Sequence, residues 1–562
     1  MSTLFLIGDP EFTGPALQTN ENQDLSTVLE VLEEKPASFI STFARTVVLP
    51  DLDSLLKQIY KDRLLPLPNS WNYETGVALI VYNSQRMVPH MSIRQMNDLF
   101  RQYFATLNIC FIDVHSGDAN SADDYRGVLS GLQQDLSITK NRVLKMNHWM
   151  NHSQNSCSSN IYSMMRQFSA YVDSSASASS SSGNDTVPRI IRNMDFSQLI
   201  NDSKSEQHYL SLLESWDFSA LNLTTVELVR CGFFLIRHLS KLANIPITDN
   251  KLYLLLITIE MSYHQINKFH NFRHCIDVMQ SCWQICERII PQDHLTKLLL
   301  ALAATGHDIG HPGTNNSLFQ NSNNELMNNS SILEAFHYNI FSHILGQQWK
   351  KINMLGRGAN TVNFIESGIL ATDMGIHAQF VKLITEKKTR QELSLKELVC
   401  LVIKAADISN VTRPLDVSAK WALLITLEFK DCALLQEFYK EESMSNDDTN
   451  CFELIKTHPC KEHLTKSDNI DMETEIKIYE ILHDAQFLPD TLIQDYPMIP
   501  AGQIFFIDTF AYEFFHKLSI IFPELTFLVD NIVENKKYWV EKKQLQENNN
   551  PIQSSSSSRV AS

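Results

Sequence analysis

The 562 residues carry 64 acidic against 47 basic side chains, a formal net charge of −17, and 44% of them are apolar. An acidic chain is poorly suited to a phosphate backbone, which is bound by clusters of Lys and Arg, so no nucleic-acid partner is expected. A small anionic substrate stays compatible, because bound cations can supply local positive charge.

The length accommodates two or more domains, and no run approaches the ~20 apolar residues that span a bilayer. The first eight residues lack the basic and apolar stretches of a secretory leader. Arg559-Val560-Ala561-Ser562 carries no prenylation cysteine or retention signal. The ten cysteines show no paired Cys-x-x-Cys spacing, so a disulfide framework is not expected. The expected address is the cytoplasm, with access to the nucleus.

In chain order, residues 1–150 mix short apolar runs with amphipathic ones. Leu4–Ile7, Val77–Tyr82 and Asn108–Val114 read as strands, and Leu52–Tyr60 and Ile93–Phe104 as helices. Their alternation predicts a small α/β domain of undetermined role. Residues 151–204, with the serine-rich run Ser174–Gly183, read as a flexible linker that buries too little apolar surface to order itself.

Residues 205–545 show apolar positions three and four apart, as in Val226–Leu242, Lys251–Tyr263, His294–Ala304 and Leu395–Lys404, and predict an all-helical domain. A polar, acidic stretch between Phe429 and Gln503 reads as a surface insertion, and residues 546–562 as a disordered tail.

The chemistry concentrates where apolar helical runs end. His307-Asp308 closes one such run, and Gly310, Pro312 and Gly313 break the helix behind it. Charged or polar groups in so apolar a setting are costly unless paired or metal-bound. Upstream, helical spacing places His270 and His274 on one face with Asp277 a turn beyond. Downstream, Asp407 ends the run Leu401–Ala406. Mixed nitrogen and oxygen donors suit Zn²⁺, Fe²⁺ or Mn²⁺ at one position, and an oxygen-rich neighbour suits Mg²⁺ or Mn²⁺. A carboxylate such as Asp308 could bridge two ions about 3.5–4 Å apart, a spacing used to clamp phosphoryl transition states.

The string from Phe269 to Val278 resembles the Tyr-His-Asn-x-x-His-x-x-Asp-Val signature of the class I cyclic nucleotide phosphodiesterases. His307 to Asn316 resembles their His-Asp-x-x-His-Pro-Gly-x-x-Asn signature. Ala371–Met374, Ala406–Asn410, Gln503–Asp508 and Phe522–Leu525 follow in the family's order. The likeness covers about 205–545 and is strongest to fungal high-affinity cAMP members.

The resemblance implies a helical catalytic domain of the HD metal-dependent phosphohydrolase type behind the smaller α/β domain. By motif, His274, His307, Asp308 and Asp407 would hold a tight zinc, and Asp308 would also reach a second ion, magnesium or manganese. His270 would be the general acid that protonates O3′. His311, Glu334 and Thr372 match positions that orient metal-bound waters. Gln503 matches the purine-binding glutamine, Phe506 and Ile425 the apolar faces around the base, and Asn410 a position beside adenine. The implied reaction is hydrolysis of 3′,5′-cyclic AMP to 5′-AMP by a hydroxide bridging two metals. A homodimer is left open.

The chain departs from the pattern at Phe269 (commonly Tyr), Gly310 (Asp), Lys404 (His) and Ser418 (Tyr in some cAMP-specific members). A freely rotating Gln503 would leave cAMP-versus-cGMP choice open. The rival readings are a dual cAMP/cGMP phosphodiesterase, another HD-type nucleotide phosphohydrolase, and an inactive cyclic-nucleotide sensor.

Overall fold

The computed structural model describes residues 3–7, 45–64, 77–82, 100–113 (apart from 101, 102 and 105), 186–200, 203–316 (apart from 266), 331–355, 363–442 and 477–549. Near the N-terminus, strands β1 (Thr3–Ile7), β2 (Arg45–Leu49), β3 (Val77–Tyr82) and β4 (Asn108–Asp113) form one parallel sheet in the order β2-β1-β3-β4. Parallel sheets are covered on both faces. Accordingly Leu4, Phe5, Leu6 and Ile7 of the inner strand β1 are all buried. In register, Phe5 sits between Val47 of β2 and Ile80 of β3.

Helix α1 (Leu52–Leu64) lays Leu52, Leu55, Leu56 and Ile59, spaced three and four apart, into the core. The strand Arg45–Leu49 had no counterpart in the sequence reading, although its Val-Val-Leu run is β-prone. Most of the expected helix Ile93–Phe104 lies outside the described residues.

The expected linker needs a correction at its C-terminal end. Residues Thr186–Asn193 and Phe196–Leu199 are helical, and Ile191, Met194, Phe196 and Ile200 are buried. Those apolar residues repay the ordering cost that a serine-rich composition could not. The Ser174–Gly183 run itself lies outside the described residues.

The remaining described chain is helical: α2 (Thr225–Leu242), α3 (Asp249–Glu260), α4 (Phe272–Ile289), α5 (His294–Gly306), α6 (Ile332–Gln348) and α7 (Phe364–Ala371) come first. Then follow α8 (His377–Glu386), α9 (Leu395–Asp407), α10 (Leu415–Glu442), α11 (Ile499–Phe506), α12 (Tyr512–Ile521) and α13 (Thr526–Asn549). Helix α13 thus runs into the segment expected as a tail. Thr224 and Ser394 start α2 and α9 with reciprocal capping boxes to Glu227 and Glu397.

Helix α5 is buried from Thr296 to Gly306, the signature of a helix apolar on all sides. Its neighbours are α4, α2 and α7, and α9 packs on both α4 and α7. The helix that ends in His307-Asp308 is therefore the central strut of the domain. Among the described residues, no helix is long and apolar enough to cross a membrane.

A buried ion pair joins the N-terminal region to this bundle. Arg63 Nε of α1 donates to both Glu260 oxygens at the end of α3, at 3.1 and 3.0 Å. Just beyond, Thr106 gives its backbone N–H and its hydroxyl to the Met261 carbonyl.

Candidate metal centre

Helix α5 stops at Gly306, and the chain turns through Gly310 and Gly313 at φ of +72° and +76°. Glycine meets that left-handed geometry without Cβ strain. The turn aims His307 and Asp308 back across the helix ends. The His307 Nδ1–H donates to the Ala304 carbonyl at 2.8 Å, which leaves the Nε2 lone pair for a ligand.

Nε2 of His307 stands 3.3 Å from Nε2 of His274, 3.1 Å from Asp308 Oδ2 and 3.3 Å from Asp407 Oδ1. His274 Nε2 is 3.1 Å from Asp407 Oδ1 and 3.6 Å from Asp308 Oδ2. One donor atom from each of His274, His307, Asp308 and Asp407 lies within 4.8 Å of all the others. Three helix ends, at α4, α5 and α9, thus bring together side chains that lie far apart in sequence.

The electrostatics fit a cation. Burial disfavours charge on His307, yet the Asp308 and Asp407 carboxylates hold its pKa well above the ordinary value. Burial would raise Asp308, but the imidazoles of His307 and His270 hold it well below the usual carboxylate range. Protons on imidazoles here answer a demand for positive charge that a divalent ion would answer better. A mixed imidazole and carboxylate set converging on one point suits such an ion.

His270 needs a correction. It precedes α4 rather than lying on it, because the Asn271 side chain caps the helix by accepting from Arg273 N–H. His270 is held instead by Glu428 of α10: one carboxylate oxygen bonds Nδ1, and the other accepts the backbone N–H of Phe269 and His270 at 2.7 and 3.2 Å. Burial opposes a charge on the His270 ring, but Glu428 and Asp308 outweigh it and lift its pKa to about 9. The ring stacks on His311 with centroids 4.0 Å apart. The Asn267 amide ties the His270 and His311 carbonyls together at 3.0 and 2.7 Å.

Glu428 was missed in the sequence, and so was His337. The sign of Glu428 was a carboxylate inside the apolar run Trp421–Phe429, which burial makes untenable without a partner. His337 donates from Nδ1 to the Ile309 carbonyl at 2.7 Å and faces Asp308 Oδ1 at 3.9 Å. Burial drops its pKa to about 4. It lies one turn after Glu334 on α6, on the same face.

Glu334 accepts from Asn316 Nδ2 at 3.1 Å, and burial together with the Asp373 charge lifts its pKa to about 7. Thr372 Oγ1 donates to the Ile369 carbonyl, and Lys404 Nζ donates to the Ala371 and Asp373 carbonyls at 3.1 Å each. Lys404, fully buried, thus pins the turn that carries Thr372. His311, Asp308 and His337 offer ligand atoms within 4.8 Å of one another, while Glu334 shares the helix of His337 and Thr372 stands at the end of α7.

Gln503 is buried on α11, with Phe506 and Ile425 partly covered. Asn410 follows Asp407 by three residues, and its Oδ1 accepts from Val411 N–H. Ile425 stands one turn before Glu428 on α10 and shares its face. Helices α10 and α11 pack together.

Comparison with known proteins agrees with this geometry. Residues 269–453 match the family described as 3′5′-cyclic nucleotide phosphodiesterase. The chain is 40% identical over 578 aligned residues to 3′,5′-cyclic-nucleotide phosphodiesterase 2 of Saccharomyces cerevisiae, covering 97% of this chain and 100% of that one. It is 34% identical over 197 residues to the human high affinity cGMP-specific 3′,5′-cyclic phosphodiesterase 9A, covering 31% of this chain and 30% of that one.

The fold is similar to a crystal structure of yeast caPDE2 in complex with IBMX, with TM-score 0.69, 23% identity, and coverage of 96% of this chain and 100% of that one. Extended similarity along the whole of the yeast relative, over helices that converge four side chains able to hold a metal ion, leads to one conclusion: this chain belongs to the class I cyclic nucleotide phosphodiesterases.

Proposed function

We propose that this phosphodiesterase hydrolyses 3′,5′-cyclic AMP to 5′-AMP, lowering the nucleotide in a signalling pathway. The observation that carries the reading is the convergence of His274, His307, Asp308 and Asp407 beside a histidine fixed by a carboxylate. When bound, two divalent cations, zinc at the four-residue site and magnesium or manganese beside it, supply charge neutralisation for the phosphate and acidify a water.

The chain's own residues do the rest. His270 protonates O3′ as the P–O3′ bond breaks and a water oxygen joins phosphorus from the opposite side. Glu428 orients that ring and keeps it charged until transfer, since its proton is retained to about pH 9 without metal. His311, Glu334 and Thr372 orient waters around the second ion. Gln503 reads the base edge with an amide that both donates and accepts, and Phe506, Ile425 and Asn410 enclose the ring.

The choice of cAMP over cGMP rests on the likeness to fungal cAMP members and on Asn410 beside the base. The test is turnover of both nucleotides by purified protein after chelation and stepwise return of zinc and magnesium. Activity that persists with no metal bound refutes the mechanism, and faster cGMP turnover refutes the substrate.

A further inference from the structure

The helix that carries Gln503 and Phe506 does not run on into α12 in regular register. Ile507–Ala511 is a π-helical turn, in which the Tyr512 N–H bonds the Ile507 carbonyl five residues back. Such a turn inserts one extra residue into the helix. π-turns inside α-helices are costly and concentrate at functional sites.

A side chain outside the metal centre meets this turn. His377, at the start of α8, is buried, and its Nε2–H donates to the Phe510 carbonyl at 3.1 Å. Its Nδ1, an acceptor in that tautomer, is buried without a hydrogen-bond partner among the described residues. The ring lies edge-on to Phe510 at 5.6 Å and against Phe514 at 5.5 Å. Phe510 in turn tilts against Phe506 at 5.6 Å.

On its other side, His377 directly follows the turn Met374–Ile376, which Asp373 caps through Gly375 N–H at 2.7 Å. The same residue therefore connects the Lys404-pinned turn to the helix that carries Gln503 and Phe506.

We propose that His377 is a positioning residue: it donates to the Phe510 carbonyl within the π-turn, packs on the ring of that residue, and thereby holds the turn and the rotation of α11 that presents Gln503 and Phe506 to the base. One residue more or less in that turn rotates α11 by about 100° relative to α12, the angle per residue of a 3.6-fold helix. A buried imidazole that stabilises the extra residue thus fixes which face of α11 meets the nucleotide. The proposal rests on the assignment of Gln503 and Phe506 to the base pocket.

The experiment compares the full chain with His377→Leu, which deletes the donor, and His377→Gln, which retains one at similar reach, alongside Gln503→Ala. Amide hydrogen exchange of the segment 503–512 and steady-state kinetics on cAMP are measured for each. His377→Leu is expected to speed exchange in that segment and raise KM on the order of tenfold, below the ~10²-fold that a 1 Å misplacement can cost. Its kcat should stay within about twofold of wild type, and His377→Gln should restore both quantities.

Unchanged exchange in His377→Leu overturns the latch. Faster exchange with unchanged KM overturns its link to the base. In that second case, a raised KM in Gln503→Ala shows that the base-pocket assignment survives, and an unchanged one shows that it fails too. A fall in kcat equal to the rise in KM, unrescued by His377→Gln, marks general loosening and also refutes the proposal. Should His377→Leu not fold, His377→Asn, whose amide falls short of the carbonyl, replaces it under the same expectations.

Discussion

Gly306 is the last residue of α5, directly before His307, and it has no room for a side chain. A Cβ there would stand 2.6 Å from Phe341 Cδ1 and closer still to Cγ and Cδ2 of that ring. Carbon atoms in contact sit ~3.5–4.0 Å apart, so the ring would have to retreat by about 1 Å or more. Phe341 is fully buried and has nowhere to go. Overpacking of this kind costs up to ~3 kcal/mol. The helix preference of alanine over glycine returns ~1 kcal/mol.

Gly306→Ala is therefore expected to lose about 2 kcal/mol, roughly a 30-fold rise in the unfolded fraction. It should also weaken metal retention, because His307 is the next residue. Urea unfolding of the metal-loaded protein reads the first quantity and metal content after dialysis the second. Phe341→Leu removes ring atoms from the collision, so the double variant should be more stable than the summed single effects by at least ~1 kcal/mol. A Gly306→Ala protein with wild-type midpoint and metal content would refute the packing argument.

Two further outcomes bear on the site. Glu428→Gln keeps the shape of the clamp on His270 but removes the charge that raises its pKa, so kcat should fall on the order of tenfold to 10²-fold and the alkaline limb of the rate profile should move to lower pH; an unmoved limb assigns the proton donor elsewhere. Glu334 has a folded pKa of about 7 against 4.5 for the free residue, so its ionisation costs the metal-free protein nothing below pH 4.5 and increasingly more up to pH 7. Metal-free Glu334→Gln should then match wild type near pH 4 and exceed it by up to about 3 kcal/mol above pH 7, and a pH-independent difference in urea unfolding contradicts this.

Much of the fold was legible because apolar spacing reports burial directly. His294–Ala304, Val226–Leu242 and Leu395–Lys404 were expected as helices, and the observed α5, α2 and α9 contain them. The strands Leu4–Ile7 and Val77–Tyr82 were equally plain. Local competition hid the rest. Asn271 caps α4 one residue after His270, so the four-residue spacing of His270 and His274 mimicked a shared helix face that the cap prevents. The serine-rich stretch masked the few apolar residues that order 186–200.

Taken alone, the sequence determined the motifs and the elements that carry them, because ligand chemistry and helix-breaking glycines are local properties of the chain. His307-Asp308 behind an apolar run, with Gly310 and Gly313 after it, announced a buried turn full of donors. Only the tertiary structure decided what meets what. Glu428 reaches His270 across 158 positions, Lys404 pins the turn around Thr372 from a different helix, and His377 bonds a carbonyl in the π-turn of a helix far away in sequence. Such partnerships depend on the packing of whole helices, whose relative rotation no local spacing encodes.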